Sequence, residues 1–90
     1  MNILKFFGTW CNPCKVLSKA FEEAKIEHQA IDVDENEELA DKYNVKSVPT
    51  VIVLDNEGEE LGRFVGPRTK EQLLEELKKY EVQSSEKDNL

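Results

Sequence analysis

The chain has 90 residues and a formal net charge of −7, from 12 Lys and Arg against 19 Asp and Glu. This length supports one domain with one hydrophobic core, and the acidic balance argues against nucleic acid or an anionic membrane as a partner. No apolar run is long enough for a signal peptide or for the ~20 residues of a membrane-spanning helix. We therefore expect a cytoplasmic protein whose partners are other proteins.

Apolar residues follow strand and helix periodicity in successive segments of the chain. The β-branched and aromatic run at residues 3–7 predicts a short buried strand, and the apolar run at 51–54 is the strongest strand signal. Thr69 and Gln72 form a capping box at the start of the last helix. Strands are predicted at residues 3–7, 27–33, 51–54 and 61–65, and helices at 12–24, 37–43 and 69–82.

The predicted order β-α-β-α-β-β-α restricts the topology of the sheet. Two strands joined through a helix pair in parallel by a right-handed crossover, whereas the final hairpin is antiparallel. We therefore predict an α/β fold with a mixed four-stranded sheet flanked by helices, formed by one domain over residues 1–82. Residues 83–90 are polar without periodicity, so we expect them to form a disordered C-terminal tail.

The chain's only two cysteines, Cys11 and Cys14, are three positions apart at the start of the first predicted helix. This spacing brings both sulfur atoms to one end of the helix, close enough for a disulfide. Backbone N–H groups and the positive end of the helix dipole stabilise a thiolate there, and the thiolate is the nucleophile. Cys11 is the better placed, because it precedes or caps the helix, whereas Cys14 lies one turn in and should be more buried. Pro13 suits the first turn, where its missing N–H has no helical partner.

Residues 10–15, Trp-Cys-Asn-Pro-Cys-Lys, resemble the active-site segment of thioredoxins, whose usual form is Trp-Cys-Gly-Pro-Cys-Lys. The resemblance implies a thioredoxin-like fold and a protein disulfide reductase in which Cys11 is the nucleophile and Cys14 resolves the mixed disulfide. Trp10 would shield one side of the pair, and Asn12, which replaces the glycine, would tune the balance between thiolate and disulfide. The residues expected to shape the site are Trp10, Asn12, Pro13, Lys15 and Lys5.

Pro49 stands immediately before a central strand, where a proline removes a ladder hydrogen bond unless it occupies the first position or a special bond geometry. The segment Val48-Pro49-Thr50 looks like the thioredoxin segment in which an apolar residue and a cis-proline face the cysteine pair. By that resemblance Pro49 is cis, and the backbone of Val48 pairs with an extended substrate peptide as an added strand. Gly66 matches a family glycine beside the site that would leave room for the partner's backbone, although a plain turn explains it equally well.

Lys5 departs from the family pattern, because thioredoxins typically have a buried aspartate six residues before the first active-site cysteine. The usual lysine partner of that aspartate, on the next strand, aligns with Ala30. A lysine in this place would either favour the thiolate of a nearby cysteine or extend to solvent. We favour extension to solvent, because burying an unpaired ammonium is costly. Proton transfer at Cys14 is then expected to run through water or a nearby carboxylate such as Asp32.

Two further interpretations of the fold remain open. Met1 lies only ten residues before Cys11, so the chain resembles glutaredoxins in its N-terminal trimming. A glutathione-dependent enzyme is therefore the nearest alternative, although the usual Cys-Pro-Tyr-Cys motif is missing. Gly66, Arg68 and Lys15 would then be the groups to test for binding glutathione. The other alternative is an interaction subunit of the same fold, which would function whatever its redox state.

We expect no bound cofactor and no metal. Zinc usually takes four ligands, and the two cysteines with His28 fall short unless two chains share an ion. The acidic run at residues 32–38 lacks the glycine and the alternating spacing of a calcium loop. The resemblance implies electrons from NADPH through thioredoxin reductase, or from glutathione, and disulfide-containing protein substrates bound by a monomer.

Overall fold

Four strands and three helices alternate as β-α-β-α-β-β-α over the part of the chain that the computed structural model describes, residues 1–89, with side chains described for residues 1–80. The predicted order of elements is confirmed. The strands are β1 (Asn2–Phe7), β2 (Gln29–Asp32), β3 (Thr50–Leu54) and β4 (Glu60–Val65), and the helices are α1 (Asn12–Ala24), α2 (Glu37–Lys42) and α3 (Lys70–Asn89).

Two elements differ from the sequence prediction by more than one residue at an end. Strand β2 is shorter than residues 27–33, and α3 continues to Asn89, beyond the predicted end near Val82. The longer helix has a simple cause, since no glycine or proline follows Pro67 to end it. Leu90 lies outside the described residues, and the division of the chain at residue 82 stays a prediction.

The four strands form one sheet in the order β2-β1-β3-β4. Strand β1 pairs in parallel with β2 and antiparallel with β3, and β3 pairs antiparallel with β4, so the predicted mixed sheet is confirmed. In this register Phe7 lies opposite Asp32, and Phe6 lies opposite Thr50. The loop that leaves β1 and the loop that enters β3 therefore lie next to each other at the same end of the two central strands.

Side chains alternate between the two faces of the strands, and each face is covered by a separate apolar cluster. Ile3 and Val51 pack with Leu17 and Phe21 of α1 and with α3 on one face. The opposite face packs against α2 through Leu4, Phe6, Ile31, Ala40, Ile52 and Leu54. The helices thus lie on both faces of the sheet, as predicted.

The caps and the apolar positions of the helices agree in part with what the sequence indicates. The capping box is present, because the Gln72 N–H donates to Thr69 Oγ1 at 3.2 Å and the Thr69 N–H donates to Gln72 Oε1 at 3.0 Å. Val16 and Leu74 follow the apolar periodicity of α1 and α3, yet they are 55% and 44% exposed. Among the described residues, no helix combines the length and apolarity needed to cross a membrane.

Candidate active site

The loop after β1 places Cys11 at the N-cap of α1, as its position in the sequence predicts. The Cys11 N–H donates to the carbonyl of Gly8 at 3.1 Å, and the backbone of Cys11 is extended, with φ −94° and ψ 107°. Its Sγ accepts the N–H of Cys14 at 3.1 Å, and Pro13 occupies the first turn. A sulfur in this position meets the free N–H groups and the positive end of the helix, which favour its anionic form.

Cys11 and Cys14 form a disulfide, with their Cα atoms 5.3 Å apart. The expected difference in burial is small, because the two residues are 4% and 2% exposed. What separates them is their surroundings. Cys11 Sγ lies 3.8 Å from the carbonyl oxygen of Val48, whereas Cys14 lines a surface cleft together with Gly8 and Lys15. Cys11 is therefore the cysteine whose sulfur lies beside the loop before β3.

The second half of the site is the segment that enters β3. The Val48-Pro49 peptide bond is cis, as the resemblance implies. Thr50 is buried, and its Oγ1 donates to the carbonyl of Ser47 at 2.6 Å. The N–H of Gly66 donates to the carbonyl of Pro49 at 3.0 Å, and Gly66 has a φ of +101°. These contacts hold the Val48 carbonyl beside Cys11 Sγ.

Trp10 is 66% exposed and forms part of the surface next to the cysteine pair. Its Nε1 donates to Asp34 Oδ2 at 2.9 Å, which ties the active-site loop to the segment after β2. Nothing in the sequence predicted this contact. Asn12 and Lys15 are exposed on the first turn of α1, on the same end of the molecule.

Lys5 is buried in the structure, with 5% of its surface exposed, so the expectation that it extends to solvent was wrong. Its Nζ donates to Ser18 Oγ at 2.7 Å and lies 5.4 Å from the centre of the Phe21 ring. Burial lowers the pKa of Lys5, and the nearby carboxylate of Glu22 opposes this effect. Lys5 lies opposite Ala30 in the sheet, as the alignment with the family pattern predicts.

His28 belongs to a different environment from the cysteines. Its ring lies 4.2 Å from the Phe21 ring, and its Nδ1 is 3.0 Å from the carbonyl oxygen of Ile26. Burial lowers the pKa of His28, with a smaller contribution from the charge of Lys5. Within the described part of the chain, no group of three or more His, Cys, Asp or Glu side chains is placed to hold a metal ion.

Two residues of the site had no role in the sequence prediction. Ser18 accepts the hydrogen bond of Lys5, and Asp34 accepts that of Trp10. The spacing of Ser18, four residues after Cys14, is the one signal in the sequence that places it on the same helix face.

Comparison with known proteins agrees with this fold. The Thioredoxin family model matches residues 1–79. A thioredoxin from Staphylococcus aureus is 37% identical over an alignment of 86 residues that covers 89% of this chain and 82% of that protein.

Solved structures give the same result. A thioredoxin-2 described as a component of the malaria parasite protein secretion machinery has a TM-score of 0.78 and 34% identity, covering 86% of this chain and 80% of its own. The thioredoxin pre-protein of Schistosoma mansoni has a TM-score of 0.74 and 38% identity, covering 86% and 75%. The chain therefore belongs to the thioredoxin family and is a thioredoxin-type thiol–disulfide oxidoreductase whose redox pair is Cys11 and Cys14.

Proposed function

We propose that this chain reduces disulfide bonds of protein substrates, with electrons from NADPH delivered by thioredoxin reductase. The observation that carries the proposal is the position of Cys11 Sγ, which accepts the Cys14 N–H at the start of α1 and lies beside the Val48 carbonyl. A thiolate is stabilised at this place, and an extended peptide that pairs with the backbone of Val48 would be held next to it.

The reaction proceeds by two thiol–disulfide exchanges. The Cys11 thiolate attacks one sulfur of the substrate disulfide, which forms a mixed disulfide and releases the other substrate sulfur as a thiolate. Cys14, as a thiolate, then attacks Cys11 Sγ, which releases the second substrate sulfur. The two substrate sulfurs gain two electrons and take up two protons. Cys11 and Cys14 lose these two electrons and become joined as a disulfide. The reductase returns the pair to the dithiol.

Substrate binding uses the loop before β3 and the exposed tryptophan. The backbone of Val48 pairs with an extended segment of the substrate, and Pro49 and Thr50 hold this backbone in place. Gly66 adds no side chain next to Pro49. Trp10 offers an apolar surface beside the cysteines, since it is 66% exposed.

The remaining side chains shape the same surface. Asn12 and Lys15 flank the cysteines on the first turn of α1, and Pro13 leaves that turn without an N–H that would need a partner. The protein needs no bound cofactor for this chemistry. We place it in the cytoplasm, because a cysteine pair cycles as a dithiol in a reducing compartment. We also propose a monomer, since a net charge of −7 opposes self-association.

Reduction by glutathione is the alternative source of electrons, and the environment of Arg68 argues against it. The guanidinium lies 4.5 Å from the Phe64 ring, and its Nη1 donates to the Pro67 carbonyl at 2.9 Å. Arg68 Nε is also 3.6 Å from a carboxylate oxygen of Glu76. Because the guanidinium of Arg68 already makes these contacts, it is not free to bind a carboxylate of glutathione.

The test is NADPH consumption during reduction of a protein disulfide, with thioredoxin reductase in one assay and with glutathione and glutathione reductase in another. We expect turnover with thioredoxin reductase, and complete loss of turnover in Cys11→Ser and Cys14→Ser proteins that fold normally by circular dichroism. If only the assay with glutathione shows turnover, glutathione and not thioredoxin reductase is the electron donor. Turnover that survives Cys11→Ser would refute the proposed reaction.

A further inference from the structure

A buried cation lies under the helix that carries the redox pair. Lys5 extends from β1 toward α1, where its Nζ donates to Ser18 Oγ at 2.7 Å and lies 5.4 Å from the centre of the Phe21 ring. Only 5% of Lys5 is exposed, and its neighbours across the sheet, Ala30 and Val51, carry no charge. The field of this ammonium is therefore weakly screened and acts on the polar groups of α1.

Ser18 connects this cation to Cys14. The two residues are four positions apart in α1, so they lie one turn apart on the same face of the helix. Both also line the cleft that passes beside Gly8 and Lys15. Since Ser18 Oγ accepts the hydrogen bond from Lys5, the hydrogen of its hydroxyl remains free to donate toward the first turn of the helix.

Cys14 needs such a partner in the dithiol state. It is 2% exposed, and burial disfavours the thiolate that must attack Cys11 Sγ. The N–H of Cys14 itself points to Cys11 Sγ, so the start of the helix stabilises Cys11 rather than Cys14. Asp32 does not line the cleft that Cys14 and Ser18 share, and its Oδ1 accepts the N–H of Asp34 at 2.9 Å.

We propose that Lys5 is a positioning residue whose ammonium, acting through the hydroxyl of Ser18, stabilises the thiolate of Cys14 while the substrate is released. In this step the thiol proton of Cys14 leaves to solvent through the cleft. The Cys14 thiolate then forms a bond to Cys11 Sγ as the bond from Cys11 to the substrate breaks. The departing substrate thiolate takes up a proton from solvent, and Lys5 keeps its own proton throughout. The inference rests on the proposed roles of Cys11 and Cys14.

Other charges near Lys5 are compatible with this role. Glu22, four residues after Ser18 in α1, favours the protonated amine and partly offsets the effect of burial. His28, which precedes β2, interacts with Lys5 through its charge, and this interaction lowers the pKa of the histidine. Lys19 also lines the cleft, but it is exposed to solvent and its charge is screened.

The experiment uses Cys11→Ser as the parent, because Cys14 is then the only cysteine and no exchange reaction takes place. The thiolate of Cys14 is measured against pH by its ultraviolet absorbance and by its rate of alkylation. We expect Lys5→Met to lower the thiolate fraction about tenfold, because a nearby cation is lost. This fraction is compared at one pH that lies below the titration midpoint of Cys14. Lys5→Arg should retain most of the thiolate, and Ser18→Ala should give an intermediate loss.

Lys19→Met is the matched control, since it removes a positive charge from the same helix and the same cleft while leaving Lys5 in place. We expect this change to leave the titration of Cys14 within about twofold of the parent. The proposal is overturned if Lys5→Met and Ser18→Ala proteins titrate as the parent does, or if Lys19→Met has the same effect as Lys5→Met. Because neither substrate nor reductase is present, the result is independent of whether the protein turns over with thioredoxin reductase.

Discussion

At the scale of single residues, the buried placement of Lys5 is costly to the fold. Its ammonium is enclosed by β1 and α1, with the hydroxyl of Ser18 as a hydrogen-bond acceptor and the Phe21 ring nearby. Neither group offers a full negative charge, so the desolvation of the amine is only partly compensated. A residue kept at such a cost is consistent with a role in the reaction rather than in stability.

Replacing Lys5 with methionine should therefore stabilise the oxidised protein by about 1 kcal/mol near neutral pH, since the buried charge is removed and the apolar contacts are kept. Burial lowers the pKa of Lys5 in the folded protein below the ordinary value of 10.5. The unfolded chain therefore binds this proton more tightly than the folded protein does. As the pH rises from the pKa of Lys5 in the folded protein toward 10.5, the free energy of unfolding of the native sequence increases. Denaturant titrations of both oxidised proteins should show the advantage of Lys5→Met shrinking over this range. A constant advantage at all pH values would contradict the burial of the charged amine.

At the scale of elements, two glycines flank β4 and differ in what they position. Gly58 lies in the turn before the strand with a φ of +86°, and Gly66 follows the strand with a φ of +101°. An added Cβ would meet no atom within 4 Å at Gly58, and at Gly66 it would meet only Arg68 Nη1 at 3.7 Å. Substitution at either site is therefore costly for backbone conformation and not for space.

We expect Gly58→Ala and Gly66→Ala to destabilise the protein similarly, by about 1 to 2 kcal/mol, in denaturant titrations. Only Gly66→Ala should also lower kcat/KM for a protein disulfide, because the Gly66 N–H holds the Pro49 carbonyl at 3.0 Å. Gly58 lies at the opposite end of β3 and serves as the matched control. Equal losses of kcat/KM in both variants would show that Gly66 acts through stability alone.

The elements were largely predictable from the sequence, because their signals are local. Helix α1 has both predicted ends, and the strands are found within a few residues of their predicted positions. Val16 and Leu74 follow the apolar periodicity of their helices but are largely exposed, since periodicity indicates a helix face but not how far the neighbouring element covers it. Helix α3 extends to Asn89, since residues 83–89 include no residue that would stop it.

The partners of the polar side chains were not predictable in the same way. The hydrogen bond of Lys5 spans 13 positions of the sequence, and that of Trp10 to Asp34 spans 24. Such contacts depend on which strand lies beside which and on the direction of each side chain. The resemblance to thioredoxins indicated that residues 10–15 and 48–50 belong to one site, but not that Lys5 would be buried.

At the scale of the whole molecule, the topology of the sheet assembles the site. Strands β1 and β3 are adjacent and antiparallel, so the end of β1 and the start of β3 lie together. The loop after β1 carries Cys11 to the start of α1, and the loop before β3 carries Val48 to within 3.8 Å of its Sγ. The proposed reaction therefore depends on Cys11 Sγ being the atom that attacks the substrate disulfide.

Trapping of the mixed disulfide shows which of the two cysteines attacks the substrate. The Cys14→Ser and Cys11→Ser proteins are incubated separately with a protein disulfide, and adducts are identified by mass spectrometry of the linked peptides. We predict a stable adduct through Cys11 in the Cys14→Ser protein, since no resolving thiol remains, and at least tenfold slower adduct formation through Cys14 in the Cys11→Ser protein. Adducts that form equally fast on either cysteine would contradict the assignment of Cys11 as the nucleophile.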